Sequence, residues 1–511
     1  MLRGFPVVIV AIGFATSSQA TELAARLAAK NSVTAEEIGS HAAVLANDTF
    51  EGREAGSRGG RAAAGYLVEQ FEKIGLDPAG IDGGYTQSFN GSMRNILAIL
   101  PGSDPVLSKE VILIGAHYDH VGYGTRSNSF GPLGRIHNGA DDNASGTSAL
   151  LEAAQGLKML AGAHRRSILI ALWDGEEKGL LGSQHWLLEP TVARSRIRCA
   201  INLDMVGRLR QNKLEVYGVR TAPDLRRLIS MQNGTDGLTL DYLWKMQEDS
   251  DHYNFFRYSI PSLMFHTGKH DDYHRPSDDT EKLNLDGVQS VTRLLIDVAV
   301  DLADADELPA FRVESAREGR DERQRSTLEA PLAALPGRLG LTWKAEETSE
   351  RGLVVSSVFR RTPAATAGIV VGDRIVSWNG EALSSNQRFQ QLVSTETEPA
   401  TLAIVGRIGG EPREVQVTLE GPPIRIGITW VRDEAEPRCV LIKRVVPTSP
   451  AERAGLLPVD RIYAVNDEEF TTGEDFEKLL FQDRRKLELT VERDGKILRV
   501  PLVLDEAPAG S

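Results

Sequence analysis

Several short apolar runs in the first part of the chain are each followed by residues that can bind a metal or move a proton. VILIGA (111–116) leads to His117 and Asp119, SILIALW (167–173) to Glu176 and Glu177, CAINL (199–203) to Asp204, and PSLMF (261–265) to Tyr273 and His274. The loop NGADDNASG adds Asp141 and Asp142 just ahead of a helix-patterned stretch. Imidazoles and carboxylates without cysteine suit zinc or another divalent metal in a hydrolytic site. Carboxylates gathered so densely repel one another unless cations neutralise them, which calls for two ions rather than none. Singly, each residue has a plainer use. Glu176 and Glu177 suit a helix N-terminus, Asp142 a helix cap, and Asp204 a strand end. The chemical reading rests on their concurrence.

The elements that must position these residues follow from the same runs. Each run is too short for a helix and does not alternate with polar residues, so it reads as a strand buried on both faces. Helix patterns lie between them, such as SALLEAAQGLKML and the later stretch with Val288, Val291, Leu294, Leu295, Val298 and Leu302 at helical spacing. The expected fold is α/β: a mixed, mainly parallel central sheet flanked by helices, with the polar residues converging where the strands end.

The 511 residues suggest about three domains at roughly 150 residues each. Residues 305–330, acidic and basic with no apolar period (REGRDERQRS), read as a charged linker after a catalytic domain at 21–304. Beyond the linker the sequence repeats at one constant offset. RLGLTW at 338–343 returns as RIGITW at 425–430, and TPAATAGIVVGDRI at 362–375 as SPAERAGLLPVDRI at 449–462. This is a duplicated unit, expected as two small, mostly β domains at 331–421 and 422–506. The second copy has Val459 where the first has Gly372, so its turn is expected to differ. A net charge of -13 without a basic stripe argues against nucleic acid. Cys199 and Cys439, far apart, imply neither a disulfide framework nor a thiolate cluster. Residues 1–20 pair Arg3 with an apolar run from Phe5 to Ala15 and end with Ser18 and Ala20, the pattern of a signal peptide cleaved after Ala20. That run is well short of the ~20 residues a spanning helix needs. The expectation is an exported protein, periplasmic or secreted, without stable membrane insertion.

From about Val44 to Leu302 the chain resembles the co-catalytic di-zinc aminopeptidases, relatives of glutamate carboxypeptidase II and the glutaminyl cyclases. The resemblance is carried in order by NDTFEGREAGSRGG, NILAILPG, GAHYDHVG, NGADDNASG, DGEEKGLLGS, NLDMVG, SDHYNFF and YHRPSDDT. It implies a zinc exopeptidase fold and two zinc ions per chain, with manganese or cobalt as possible substitutes. His117 and Asp204 would hold one ion, Glu177 and His274 the other, and Asp142, followed by a cis bond to Asn143, would bridge them. Glu176 would be the general base, Tyr273 would donate to the oxyanion, and Asp119 would accept from the His117 ring. His120, His137, His252, His266 and His270 would lie around the ligands or in solvent, and Ser250, Asp251 and His252 would serve structure or line the pocket. Each repeat is similar to the PDZ domains of bacterial periplasmic proteases. Leu339, Gly340 and Leu341, or Ile426, Gly427 and Ile428, would form the loop that receives a peptide or protein C-terminus. The implied function is an exported aminopeptidase acting on peptides. The alternatives are a carboxypeptidase, a glutaminyl cyclase relative (cyclases use one zinc), or a non-catalytic peptide-binding scaffold.

Overall fold

The computed structural model describes residues 17–234, 237–318, 328, 338–344, 352–383, 385–396, 398–408, 411–420, 426–447, 449–481 and 486–504. Most of the expected signal peptide, and Arg425 of the second loop, lie outside them. Among the described residues no helix is long and apolar enough to cross a membrane. The chain divides into a first unit ending at Ala316 and a second that holds the repeats.

In the first unit a nine-stranded sheet is built from β1 (Asp77–Pro78), β2 (Thr86–Phe89), β3 (Met93–Leu100), β4 (Val111–His117), β5 (Ser167–Trp173), β6 (Ile197–Leu203), β7 (Lys213–Tyr217), β8 (Thr239–Tyr242) and β9 (Ser262–His266). The order is β1-β3-β5-β4-β6-β9-β7-β8, with β2 on β3. The four apolar runs read from the sequence are the adjacent central strands β5, β4, β6 and β9, all parallel. The flanking pairs β3–β5 and β7–β9 are antiparallel, so the sheet is mixed, parallel in the middle and again in the edge pair β7–β8.

Two-residue periodicity explains why the central strands are apolar throughout. Ile112, Ile114 and Ala116 of β4 point to one core with Ile168, Ile170 and Leu172 of β5. Val111 and Leu113 point to the other with Leu169, Ala171 and Trp173. Helix α1 (Ser17–Ser32), α2 (Ala35–Leu45), α3 (Arg58–Ile74) and α4 (Gly146–Met159) add apolar residues to the first core, with α8 (Leu285–Asp304). Between α4 and α8 come α5 (Leu181–Leu188), α6 (Leu225–Asn233) and α7 (His252–Arg257), of which α5 and α7 cover the second core through Trp186, Leu187 and Phe255. Parallel register then fixes the site's location. His117 pairs with Trp173, and Leu203 with Phe265, so the loops carrying Glu176, Glu177 and Asp204 leave the same edge.

The stretch expected as a linker starts inside the first unit. Leu308 and Arg312 are buried, the Arg312 N–H donates to Thr221 O at 2.7 Å, and Phe311 meets Phe256 at 5.7 Å. Two apolar anchors among charges make no period, which is why the docking is invisible in the pattern.

Each repeat forms a six-stranded antiparallel sheet around its own core. Strands Leu341–Lys344 and Ile428–Asp433 lie at sheet edges, each following its loop, with a helix at Asn386–Thr395 or Gly473–Phe481. The expected difference at Val459 does not arise. Gly372 has φ +95° and Val459 φ +77°, and their N–H groups bond Val355 O at 2.9 Å and Ile442 O at 2.8 Å. The turn is the same, and a β-branched residue bears a left-handed backbone that costs roughly 1–3 kcal/mol. Val459→Gly should therefore stabilise the second repeat by about 1 kcal/mol after glycine's own entropy cost, read as a raised unfolding midpoint in urea.

Candidate metal centre

Asp142 stands between two groups of donors. His117 Nε2 lies 3.3 Å from Asp142 Oδ1 and 3.3 Å from Asp204 Oδ1. On the other side, His274 Nε2 lies 3.1 Å from Asp142 Oδ2 and 3.2 Å from Glu177 Oε2. Ligands held tetrahedrally at about 2.0–2.1 Å from a zinc ion stand about 3.3 Å from one another, so both groups have a spacing that suits an ion. The charges agree. Burial opposes ionisation of Asp142, yet hydrogen bonding from His117 and His274 holds it well below the usual carboxylate range. Burial likewise disfavours a charged His117, but Glu176 and Asp204 outweigh it and push its pKa well up. The carboxylates thus draw positive charge to the place where an ion would sit.

The ligand-bearing loops are fixed from behind. Gly139, Leu180, Met205 and His274 have φ between 50° and 60° or just below, a left-handed backbone that only Gly139 adopts at little cost. The Asp142–Asn143 bond is cis. Asp278 Oδ2 accepts the N–H groups of Asp141 and Asp142 at 2.9 and 3.1 Å. Asp141 itself faces away, taking the Gly207 N–H at 2.6 Å and His270 Nε2 at 3.0 Å.

One expectation is corrected here. The His117 ring reaches the backbone oxygen of Asp119 (Nδ1 to O 3.2 Å), while the Asp119 carboxylate is 3.8 Å away, too far for a hydrogen bond. That carboxylate instead accepts the N–H groups of Glu176 and Glu177 at 3.0 and 3.3 Å. Asp119 therefore orients the Glu176–Glu177 turn.

A cavity opens over the site, lined by His117, Asp142, Glu176, Asp204, Tyr273 and His274 among others. Burial, together with the Glu177 and Asp204 carboxylates, holds Glu176 well above the usual carboxylate range against the pull of His117. Tyr273 stacks on His274 at 3.9 Å, and burial beside Asp142 and Glu177 raises its phenol. Of the histidines expected around the ligands or in solvent, His120, His137, His252 and His266 are all buried. Asp251 accepts from the Ser183 hydroxyl and Ser250 from the Asn202 amide.

Sequence reading missed Arg53, which lies inside the quoted FEGRE segment. Its guanidinium is fully buried and donates to Tyr118 O (2.8 Å), Leu45 O (2.7 Å), Asn138 O (2.6 Å) and Gly139 O (2.9 Å). It ties the His117–Asp119 segment to the Asp142 loop. Burial lowers its pKa to about 10, with Asp142 and Asp119 opposing, so it stays charged at neutral pH and offsets the acids. Arg53→Met leaves those carbonyls without their donor, and at about 1–3 kcal/mol for each buried group left unpaired the loss should exceed about 3 kcal/mol, measured by urea unfolding.

Parts of the chain are similar to known proteins. Residues 95–299 match the model of Peptidase family M28, and residues 337–419 and 441–493 each match a PDZ domain. The chain thus has a region similar to Peptidase family M28 followed by two similar to PDZ domains. Its relatives include a probable leucine aminopeptidase of Arthroderma otae, 32% identical over 176 residues, covering 33% of this chain and 44% of the relative. Aminopeptidase YwaD of Bacillus subtilis is 30% identical over 218 residues, covering 40% of this chain and 44% of that protein. The chain thus spans less than half the length of these relatives. Among solved structures, the Legionella pneumophila LapA aminopeptidase aligns at TM-score 0.46 and 21% identity, over 56% of this chain and 76% of that one. BSAP, a zinc aminopeptidase from Bacillus subtilis, aligns at TM-score 0.44 and 18% identity, over 54% and 96%.

Proposed function

We propose that the M28 domain is a di-zinc aminopeptidase that removes N-terminal residues from peptides. The observation that carries this reading is that two donor groups share Asp142 beside a cavity that Glu176 also lines. One ion would sit among His117, Asp142 and Asp204, the other among Asp142, Glu177 and His274. The chemistry such ions supply is Lewis acidity toward the scissile carbonyl and a lowered pKa for an attacking water. Glu176 takes the proton from that water and returns it to the leaving amine, a role suited to a carboxyl whose pKa burial has raised. Tyr273 donates its hydroxyl to the developing oxyanion. Glu176 and Asp204 attract the substrate's free ammonium.

The PDZ domains would take peptide or protein C-termini. In this reading Leu339-Gly340-Leu341 and Ile426-Gly427-Ile428 offer backbone N–H groups to the carboxylate, and the edge strand beside each loop pairs with the peptide. The apolar leader ending at Ala20 would direct the protein to the periplasm or beyond.

The test is digestion of one peptide set by the zinc-loaded chain, with each peptide free, N-acetylated or C-amidated, followed by mass spectrometry. Stepwise loss of N-terminal residues from free and C-amidated peptides alone is the expected result. Equal cleavage of acetylated peptides, or trimming from the C-terminus, overturns the reading.

A further inference from the structure

The ligand scheme above leaves one buried side chain unused. His120 is 1% exposed, and its Nδ1 lies 2.8 Å from Glu177 Oε1 and 3.9 Å from Asp142 Oδ2. Its ring meets that of His274 edge-on at 5.5 Å. Its other nitrogen, Nε2, is buried without a hydrogen-bond partner. Both of these neighbours of Nδ1 are oxygens of carboxylates that belong to a donor group. Donor atoms of His120, Asp142, Glu177 and His274 all fall within 4.8 Å of one another, as those of His117, Asp142 and Asp204 do.

The two groups therefore differ in number. One holds two imidazoles and two carboxylates, enough to close a tetrahedron. The other holds one imidazole and two carboxylates, which leaves a position free. Every member of the three-donor group lines the cavity, and of the four-donor group Asp142 and His274 do while His120 and Glu177 do not. Glu176 lines it too.

We propose that His120 is a further metal ligand: with Asp142, Glu177 and His274 it completes a four-donor site, and His117, Asp142 and Asp204 form a three-donor site with a position left for substrate. This inference rests on the reading that both groups bind metal. It makes the two ions unequal, one retained and one exchangeable, and assigns the exchangeable one to the side of Glu176.

The full chain is loaded with zinc and dialysed against a series of metal buffers, and metal per chain is measured by emission spectrometry. The wild type should lose its ions in two steps. His120→Ala and His120→Asn should lose the tightly held step, with affinity falling by more than the 10–100-fold that loss of an outer hydrogen-bonding partner costs. His117→Ala should keep that step and lose the other. Cobalt loading gives a second readout, since the first cobalt bound to the wild type should show a tetrahedral absorption spectrum that His120→Asn alters. Thermal melts of the metal-free variants report whether they fold. Two unchanged steps in folded His120→Asn would reduce the ring to a hydrogen-bond donor for Glu177 and overturn the proposal. Both ions leaving together from the wild type would overturn it as well. Fewer than two ions in the wild type would instead sink the underlying di-metal reading.

Discussion

Glu176→Gln should keep both metal ions and lower kcat by about 10²–10⁴-fold, the usual contribution of a positioned general base. The substitution preserves volume and the backbone N–H held by Asp119 Oδ1, so the turn carrying Glu177 is expected to stay in place. Glu176 belongs to neither donor group, yet it lines the cavity with the members of the three-donor one. Its loss should therefore show in kcat and leave metal content untouched. The measurement is kcat and KM on an unblocked peptide beside metal analysis of the same preparation. An unchanged kcat would remove Glu176 as the base. A loss of metal would mean that it is a ligand.

Asp142→Asn should do the opposite, emptying the site and abolishing turnover. Asp142 is the one residue common to both donor groups, with Oδ1 turned to His117 and Oδ2 to His274. A carboxylate can face two cations at once because each oxygen carries part of the charge. An amide offers one neutral oxygen and an NH₂ that points its protons at the second ion. Both ions should be weakened together, and activity should fall below that of Glu176→Gln. Metal content after gel filtration, with circular dichroism as the check on folding, decides the matter. Retention of both ions by Asp142→Asn would exclude a bridging role.

Much of the framework was legible in order and composition. Unbroken apolar runs can lie only where both faces of a strand are covered, so β4, β5, β6 and β9 could be read as central before their pairing was known. The two PDZ domains were legible because the same turn and strand residues recur in register. Their equivalence extended further than expected: Val459 follows the backbone of Gly372 because the surrounding strands dictate the turn.

The misreadings share a cause. Arg53 sits in a short turn, where an arginine is ordinarily solvated, and is buried only because Leu45, eight residues back, and two segments remote in sequence present carbonyls to it. Asp119 follows His117 by two residues, which suggests a partnership, but its carboxylate turns to a loop from the next strand. Asp278 was in plain view within a quoted segment and carried no periodic signal. Its role depends on which loops meet at the sheet edge.

By itself, then, the sequence determined the strands, the repeats and the inventory of imidazoles and carboxylates, because these follow from local periodicity and residue chemistry. Tertiary structure alone decided which carboxylate faces which imidazole, which cation is buried among the acids, and which donors line the cavity. Those are matters of a few tenths of an ångström between segments far apart in the chain, set by strand register and loop closure rather than by any neighbouring residue.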